Sequence, residues 1–223
     1  MPIFGQLSSD KPRHPSSSWA NWKNWKFFAW NRETQAEEEV TLPKEFVVIA
    51  ESFSIKGYLQ DKGWVRSNEI YSFANDPFVV RSNSWEVLYE WLWKDIKDKV
   101  KALGLKITTN IHYIDPKKTD ELKTFCIKWA ASQEWMNSFS NENKNAEANN
   151  TVSLKEVKEW KTWSVKYTYP SFVATNPLTP EQKTLQQDWW NKLIAYKNEV
   201  MNSEEKTEEE NLSKYDEDSL PFK

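Results

Sequence analysis

The sequence predicts a mainly β fold with flanking helices, and three observations support this fold class. Short runs of β-branched and aromatic residues recur along the chain, separated by turns rich in Pro, Gly, Asn and Asp. Two other segments repeat apolar residues at helical spacing behind capping-box patterns. The chain has 223 residues, which suits one domain with appendages and suffices to bury a core.

The N-terminal region is predicted to form a mobile arm followed by a hairpin. Residues 1–18 contain three prolines and a serine run, which are typical of an irregular arm. The aromatic segment 19–32 fits both strand and helix spacing. A strand here would place four side chains on one face: Trp22, Lys26, Phe28 and Trp30. The polar stretch 32–36 and the strand-like residues 39–42 then favour a hairpin.

Three strand patterns and a helix follow. The strands are predicted at 45–59, 64–73 and 77–82, with turns at Asp61-Lys62-Gly63 and Asn75-Asp76-Pro77. Asn83 is the predicted N-cap of the helix, with Glu86 as its capping-box partner. Gly104 stands where the C′ glycine of that helix belongs.

The remaining elements are predicted in the order strand, strand, helix, loop, strand, helix and tail. Their segments are 105–114, 121–129, 132–139, the Asn-rich linker 140–151, 163–169, a helix from Thr179, and 203–223. Thr179 as N-cap, Pro180 at N1 and Gln182 as capping-box partner make a strong helix start. The tail has few apolar groups and is expected to be disordered.

The order of three strands, one helix and two strands is that of an OB-like five-stranded barrel. The barrel would span 19–139, with an extra N-terminal hairpin inside that range. The segment 152–202 would add a strand and a helix packed on the core. OB folds commonly bind oligonucleotides, although a fold alone does not fix a function.

This composition argues against several classes of site. One cysteine excludes an intrachain disulfide, and two histidines with it cannot form a four-ligand zinc site. We therefore expect no metal. Neither GxGxxG nor GxxxxGK[ST] occurs, so we also expect no nucleotide cofactor. His112 and Cys126 lie in strand patterns and are expected to be structural, the thiol inert, so we expect no enzyme.

Charge is unevenly distributed along the chain, and hydropathy gives no sign of a membrane segment. The formal net charge is −3, but 203–223 carries eight acids and three bases, which leaves the rest of the chain mildly basic. No apolar run approaches a membrane span and no signal peptide is evident, so we expect a cytoplasmic protein without a membrane partner.

The chain contains 14 tryptophans, more than a core of this size needs. Several stand among lysines and arginines, and single-strand binders combine such aromatic stacking platforms with cations that follow the phosphates. The candidate nucleic-acid contacts are Trp22, Trp25, Lys26, Trp30, Lys56, Trp64, Arg66 and Arg81, then Trp160 and Trp163. Any one of these tryptophans could instead be core, and a carbohydrate site would use the indoles without the cations.

The acidic tail ends in an apolar tip that solubility alone does not explain. An acidic run followed by an aromatic residue is typical of a peptide that docks on a partner protein. Its candidate partner-binding residues are Asp216, Glu217, Asp218, Leu220, Pro221 and Phe222. The acidic tail could also compete with a nucleic acid for a basic groove.

The tail resembles the C-terminal tip of bacterial single-stranded DNA-binding proteins, although Lys223 follows the Phe that usually ends that tip. Residues 22–140 also resemble a phage-type family of predicted single-stranded DNA-binding proteins. The matching stretches are LPKEFVV at 42–48, IKG at 55–57, SNEI at 67–70, VVRS at 79–82 and DIKDKVKALG at 95–104.

The resemblance implies binding of single-stranded DNA with little sequence preference, in replication, recombination or repair. It implies recruitment of replication or repair enzymes through the tip, the host cytoplasm if a phage encodes the chain, and possible homo-oligomers. A protein–protein adaptor with exposed tryptophans as interface anchors, or an RNA binder, remain the alternatives.

Overall fold

The computed structural model describes residues 12–140, 145–162 and 165–218. Nine strands lie in one sheet: β1 (Ser16–Lys23), β2 (Lys26–Asn31), β3 (Ala36–Val40), β4 (Val47–Leu59), β5 (Gly63–Ser67), β6 (Phe78–Ser82), β7 (Val87–Trp91), β8 (Lys106–Asp115) and β9 (Lys118–Lys128). Two further strands form a separate hairpin: β10 (Asn150–Thr162) and β11 (Val165–Pro177). The helices are α1 (Trp93–Ala102), α2 (Ala130–Ser140), α3 (Ala146–Asn149) and α4 (Pro180–Asp218).

The sheet is open, with the strand order β3-β2-β1-β9-β8-β4-β5-β6-β7. All neighbouring strands are antiparallel except β1 and β9, which pair in parallel. The mainly β class with flanking helices is therefore confirmed. The five-stranded OB barrel is not the arrangement seen, because nine strands line up between two edge strands, β3 and β7.

One face of the sheet, the core face, carries two apolar clusters. Around the first, Phe125 of β9 stacks on Phe172 of β11 at 5.3 Å and meets Trp135 of α2 at 5.9 Å. In the second, Ile96 and Val100 of α1 pack with residues of β4, β5 and β6. The α1 and α2 helices and the β10–β11 hairpin thus contribute to cores on the same face.

The chain divides into two compact units, Ser16–Gln187 and Met1–Pro15 with Asp188–Lys223. The larger unit holds the sheet and the hairpin. In the smaller unit, the His14 ring meets the Tyr196 ring edge-on at 4.9 Å. There the Lys192 ammonium also lies 3.9 Å from the centre of the Trp189 ring.

Most of the predicted central elements are confirmed. β4, β6, β8, β9 and α2 occupy the segments predicted for them. Gly104 follows α1 with φ +68°, as a C′ glycine should. The capping box of α4 also forms: the Thr179 N–H donates to Gln182 at 2.9 Å, and the Gln182 N–H donates back at 3.3 Å. The spacing of caps and apolar residues was therefore a sound guide in these segments.

The predicted start of the first helix at Asn83 is wrong. Residues 87–91 form β7, which pairs with β6, and α1 begins ten residues after Asn83 with Leu92 as an N-cap that makes no side-chain hydrogen bond. Residues 83–86 form the turn between β6 and β7, where the Trp85 N–H donates to the carbonyl of Ser82 at 3.1 Å, and residues 87–91 pair with β6, so tertiary contact overrides the local signal. The strand predicted at 64–73 likewise ends at Ser67, beyond which Ile70 forms a single bridge to Phe53.

The ends of the chain also differ from expectation. Ser16–Ser18 of the predicted arm belong to β1, paired with β9. Helix α4 continues to Asp218, where the sequence predicts disorder from residue 203. No Gly or Pro interrupts residues 181–218, and the many Glu and Lys residues there have high helix propensity.

Candidate functional site

Four cations form a row across the face of the sheet opposite the core, which we call the cationic face. The strand register pairs Lys106 of β8 with Lys56 of β4, Lys56 with Arg66 of β5, and Arg66 with Arg81 of β6. This cationic row therefore supplies one charge from each of four adjacent strands. Because neighbouring strands lie about 4.8 Å apart, the row crosses roughly 15 Å of the sheet.

The alternation of side chains in β-strands puts these cations on one face. Their chain neighbours Ile55, Val65 and Val80 are buried in the second core cluster, so the residues beside them must point the other way. The tight turn between β4 and β5 makes Lys56 and Arg66 partners. A register shift of one residue in either strand would turn a cation into the apolar core. Packing of the core on the other face therefore determines the register that places these cations side by side.

Most of the row's positive charge is not neutralised by ion pairs. Within the described part of the chain, Lys56, Arg66 and Lys106 make no ion pair. Lys128 of β9, paired with Thr108 of β8, adds a fifth cation on the same face. Loss of hydration, together with repulsion by Lys56 and Lys106, lowers the pKa of Lys128. Like charges directly opposite each other destabilise a sheet, so this arrangement favours a bound anion.

Aromatic rings surround the row. The Arg66 guanidinium lies 4.7 Å from the Trp85 ring centre, and the Lys106 ammonium lies 5.6 Å from that of Trp129. On the same face, Trp64 and its cross-strand partner Tyr58 meet edge-on at 5.8 Å. The indoles of Trp64, Trp85 and Trp129 are 62%, 55% and 66% exposed. Large flat rings are thus presented to solvent beside cations, as stacking of nucleic-acid bases requires.

Three exposed tryptophans have left-handed backbones. Trp25, Trp85 and Trp129 have φ values of 71°, 66° and 54°. A non-glycine residue in this region costs roughly 1–2 kcal/mol. Such strain concentrates at functional sites, where the surrounding structure holds a side chain in a required position. Two of these three residues, Trp85 and Trp129, adjoin the cationic row.

A buried polar network occupies the cationic face beside the row. Ser52 Oγ lies 3.0 Å from His112 Nε2 and donates to Glu69 at 2.6 Å. His112 Nδ1 lies 2.8 Å from the hydroxyl of Thr124, and Asn110 donates to Glu69 at 2.7 Å. Ser52 and His112 are completely buried, so we assign this network to holding β4, β8 and β9 in register.

Cys126 also faces this side of the sheet and is buried. Burial, the largest cause, raises the pKa of its thiol to about 11, with Lys56 acting in the opposite direction. A thiol with this pKa is almost entirely protonated at neutral pH and reacts slowly. This agrees with the expectation that Cys126 is a core residue.

Four of the predicted nucleic-acid contacts are brought together by the structure: Lys56, Trp64, Arg66 and Arg81. The N-terminal group is not. Asn24 and Trp25 form a two-residue turn between β1 and β2, which pairs Trp22 with Phe27 and so removes Trp22 from the face predicted for it. Lys26, Phe28 and Trp30 do share one face, as predicted. Trp22 is on the core face, where its indole N–H donates to the carbonyl of Thr168 at 2.8 Å.

Lys26 and Trp30 are on the cationic face, but at the β2–β3 end of the sheet. There Lys26 is paired with Glu39 at 2.6 Å and Lys23 is paired with Glu37. Trp30 is 58% exposed and faces Glu37 across the strands. This end of the face is therefore electrically balanced, unlike the row.

The other predicted contacts lie elsewhere or outside the described residues. Trp160 is exposed on the β10–β11 hairpin. Trp163 and the tip residues Leu220, Pro221 and Phe222 lie outside the described residues. Asp216, Glu217 and Asp218 are the last residues of α4, and their side chains are not described.

Sequence reasoning missed Trp19, Trp85, Lys106, Lys128 and Trp129. The Lys56 ammonium lies 5.9 Å from the ring centre of Trp19, so that indole also reaches the row. Lys128 and Trp129 are adjacent at the end of a predicted strand, which was an available signal. The position of Lys106 beside Lys56 depends on pairing between strands 50 residues apart, for which the sequence offered no signal.

Comparison of the chain with models of protein families, with curated proteins and with solved structures finds no match in any of the three. Among the described helices, none combines the length and apolar character needed to cross a bilayer.

Proposed function

We propose that this protein binds single-stranded DNA along the cationic row, with little sequence preference. The single observation that carries the proposal is the row itself, four cations at partner positions on adjacent strands, with exposed indoles beside it. Cations spaced along a line neutralise successive phosphates, while indoles stack on bases of any sequence.

A single strand suits this surface better than a duplex. Stacking on Trp64, Trp85 or Trp129 needs an exposed base face, which a duplex hides within its own stack. Stacking and phosphate contacts do not read base edges, so little sequence preference is expected. Protection of single strands during replication or recombination is the role that such binding serves, and recruitment of partner enzymes by the C-terminal tip is part of the same proposal.

Intrinsic tryptophan fluorescence tests the proposal. The protein is titrated with an oligo(dT) of about 30 nucleotides, longer than the ~4–16 nucleotides that one OB-sized module covers. Strong quenching that weakens steeply with added salt is the expected result, because phosphate neutralisation releases counterions.

Matched duplex DNA and oligo(rU) serve as the other arms of the titration. Much weaker binding of the duplex is expected. Tighter binding of oligo(rU) than of the DNA would make the protein an RNA binder. No quenching by any of the three, with folded and monodisperse protein, would refute the proposal and favour the adaptor.

A further inference from the structure

A second aromatic and basic surface lies at the end of the β10–β11 hairpin. We call residues 158–162 and 165–169 the ribbon tip, the part of the hairpin beyond the Val157–Pro170 pair. The tip contains three lysines and one glutamate, together with one Trp and two Tyr. It therefore has the same chemistry as the cationic row, in a smaller area.

The register of the hairpin divides the tip into two faces. Trp160 pairs with Tyr167 on one face, where the rings lie 5.9 Å apart and are 53% and 48% exposed. Lys161 pairs with Lys166 on the other face, and both are exposed. Lys166 also lies 3.8 Å from Glu159, so one of these two charges is partly neutralised. The exposed rings can stack on flat bases, and the two lysines on the other face can attract the phosphates of the same polyanion.

Contacts at the base of the hairpin and at the inner end of the tip hold the tip on the core face of the sheet. Phe172 stacks on Phe125, Trp22 donates to the carbonyl of Thr168, and Lys158 pairs with Glu134 of α2 at 2.7 Å. The cationic row projects from the opposite face. One short segment of single strand cannot contact both surfaces without passing around the edge of the sheet.

We propose that the ribbon tip is a second contact for single-stranded nucleic acid, so that one molecule of the protein bridges two strands. This inference rests on the proposed function, because it takes the row as the first contact. Two strands held on one protein are at high effective concentration relative to each other. The expected consequence is that the protein promotes the annealing of complementary strands as well as covering single ones.

A capture experiment tests the bridge with the full-length protein. Biotinylated oligo(dT) is immobilised, the protein is bound to it, and a fluorescent oligo(dT), which cannot pair with the first, is added. The wild type is expected to retain the second strand. The double variant Trp160→Ala, Tyr167→Ala should still bind the immobilised first strand. It should retain about tenfold less of the fluorescent second strand, because base stacking at the tip is lost.

Two further variants guard against trivial outcomes. Val173→Ala alters another exposed apolar residue of β11, away from the tip, and should keep the second strand. Lys161→Gln with Lys166→Gln leaves the rings in place and should weaken retention of the second strand, more so at low salt. If the variant lacking Trp160 and Tyr167 folds poorly, this double lysine variant still tests whether the tip binds the second strand.

The outcomes separate the two proposals. If the first strand does not retain the wild type, the proposed function fails and the bridge fails with it. If the first strand retains the protein but the second strand is not held, or is held equally by the ring variant, only the bridge is refuted. The mass of the bridged complex must correspond to one protein with two strands, and a mass of two proteins would also overturn the inference.

Discussion

Replacing Lys56 by Gln should strengthen the fold and weaken nucleic-acid binding at the same time. Lys56 stands inside the cationic row, with Lys106 on one side and Arg66 on the other. A structural lysine would give the opposite effect on stability. The combined effect therefore distinguishes a residue kept for binding from one kept for folding.

The size of both effects follows from the register. Lys56 has two like-charged partners, and each such pair opposes folding by a few tenths to about 1 kcal/mol. Its ammonium lies 5.9 Å from the Trp19 ring centre, near the ~6 Å limit of cation–π attraction, so little is lost there. We expect a gain of roughly 0.5–1.5 kcal/mol in the free energy of unfolding at low salt. The slope of log K against log salt should fall by about 0.7 for one lost phosphate contact.

Urea unfolding followed by tryptophan fluorescence measures the first effect, and oligo(dT) titrations at several salt concentrations measure the second. The stability gain should largely disappear at about 1 M salt, where the Debye length is ~3 Å. Lys117→Gln, exposed in the β8–β9 turn at the far end of β8, is the matched control and should change neither quantity. A destabilised Lys56→Gln variant with an unchanged salt slope would refute the role given to the row.

Three substitutions and one labelling experiment test the fold. Gly57→Ala should destabilise the protein by about 1–3 kcal/mol in urea unfolding, because the new Cβ would lie 2.5 Å from Cδ2 of Leu105; wild-type stability would contradict that packing. Glu51→Gln should stabilise it at pH 7 but not at pH below the usual glutamate range. Burial raises the pKa of Glu51, so the wild type loses stability as pH rises from the usual glutamate range through that raised pKa, and a variant more stable than the wild type at low pH would be inconsistent with this. Thr179→Ala should cost about 0.5–2 kcal/mol through the lost cap, and no loss would mean the capping box is not formed in solution. Cys126 should react with a thiol reagent at pH 8 only after unfolding, whereas rapid reaction of the folded protein would disprove its burial.

Much of the fold was predictable because local signals and tertiary contacts agree in those segments. The capping box at Thr179, the glycine at 104 and the alternation in β4 and β8 each act over a few residues. Such signals are read directly from spacing. They fail where a long-range partner decides, as in β7, which pairs with β6 although its residues follow a helical pattern.

The β10 strand was missed for a related reason. Its register shifts between Leu154 and Glu156, so the alternation of apolar residues is interrupted in the middle of the strand. Its Glu and Lys residues also have low strand propensity. Pairing with β11 along its length, together with a bridge from Val152 to Phe46, makes this segment a strand.

The candidate site was half predictable. Aromatic–basic clustering in the sequence selected Lys56, Trp64, Arg66 and Arg81, which the strand register makes neighbours on one face. The same criterion included Trp22, whose indole is occupied in a hydrogen bond on the core face. A cationic row is a property of strand register, and register across non-consecutive strands cannot be read from composition.

The most direct test of the central claim is photo-crosslinking of an oligo(dT) containing iodouracil to the full-length protein, with the crosslinked residues located by mass spectrometry. Crosslinks at Trp85 and Trp129, whose indoles lie beside the row on left-handed backbones, are the predicted result. Crosslinks confined to the β3 edge or to α1, with none on the cationic face, would contradict the claim that the row binds single strands.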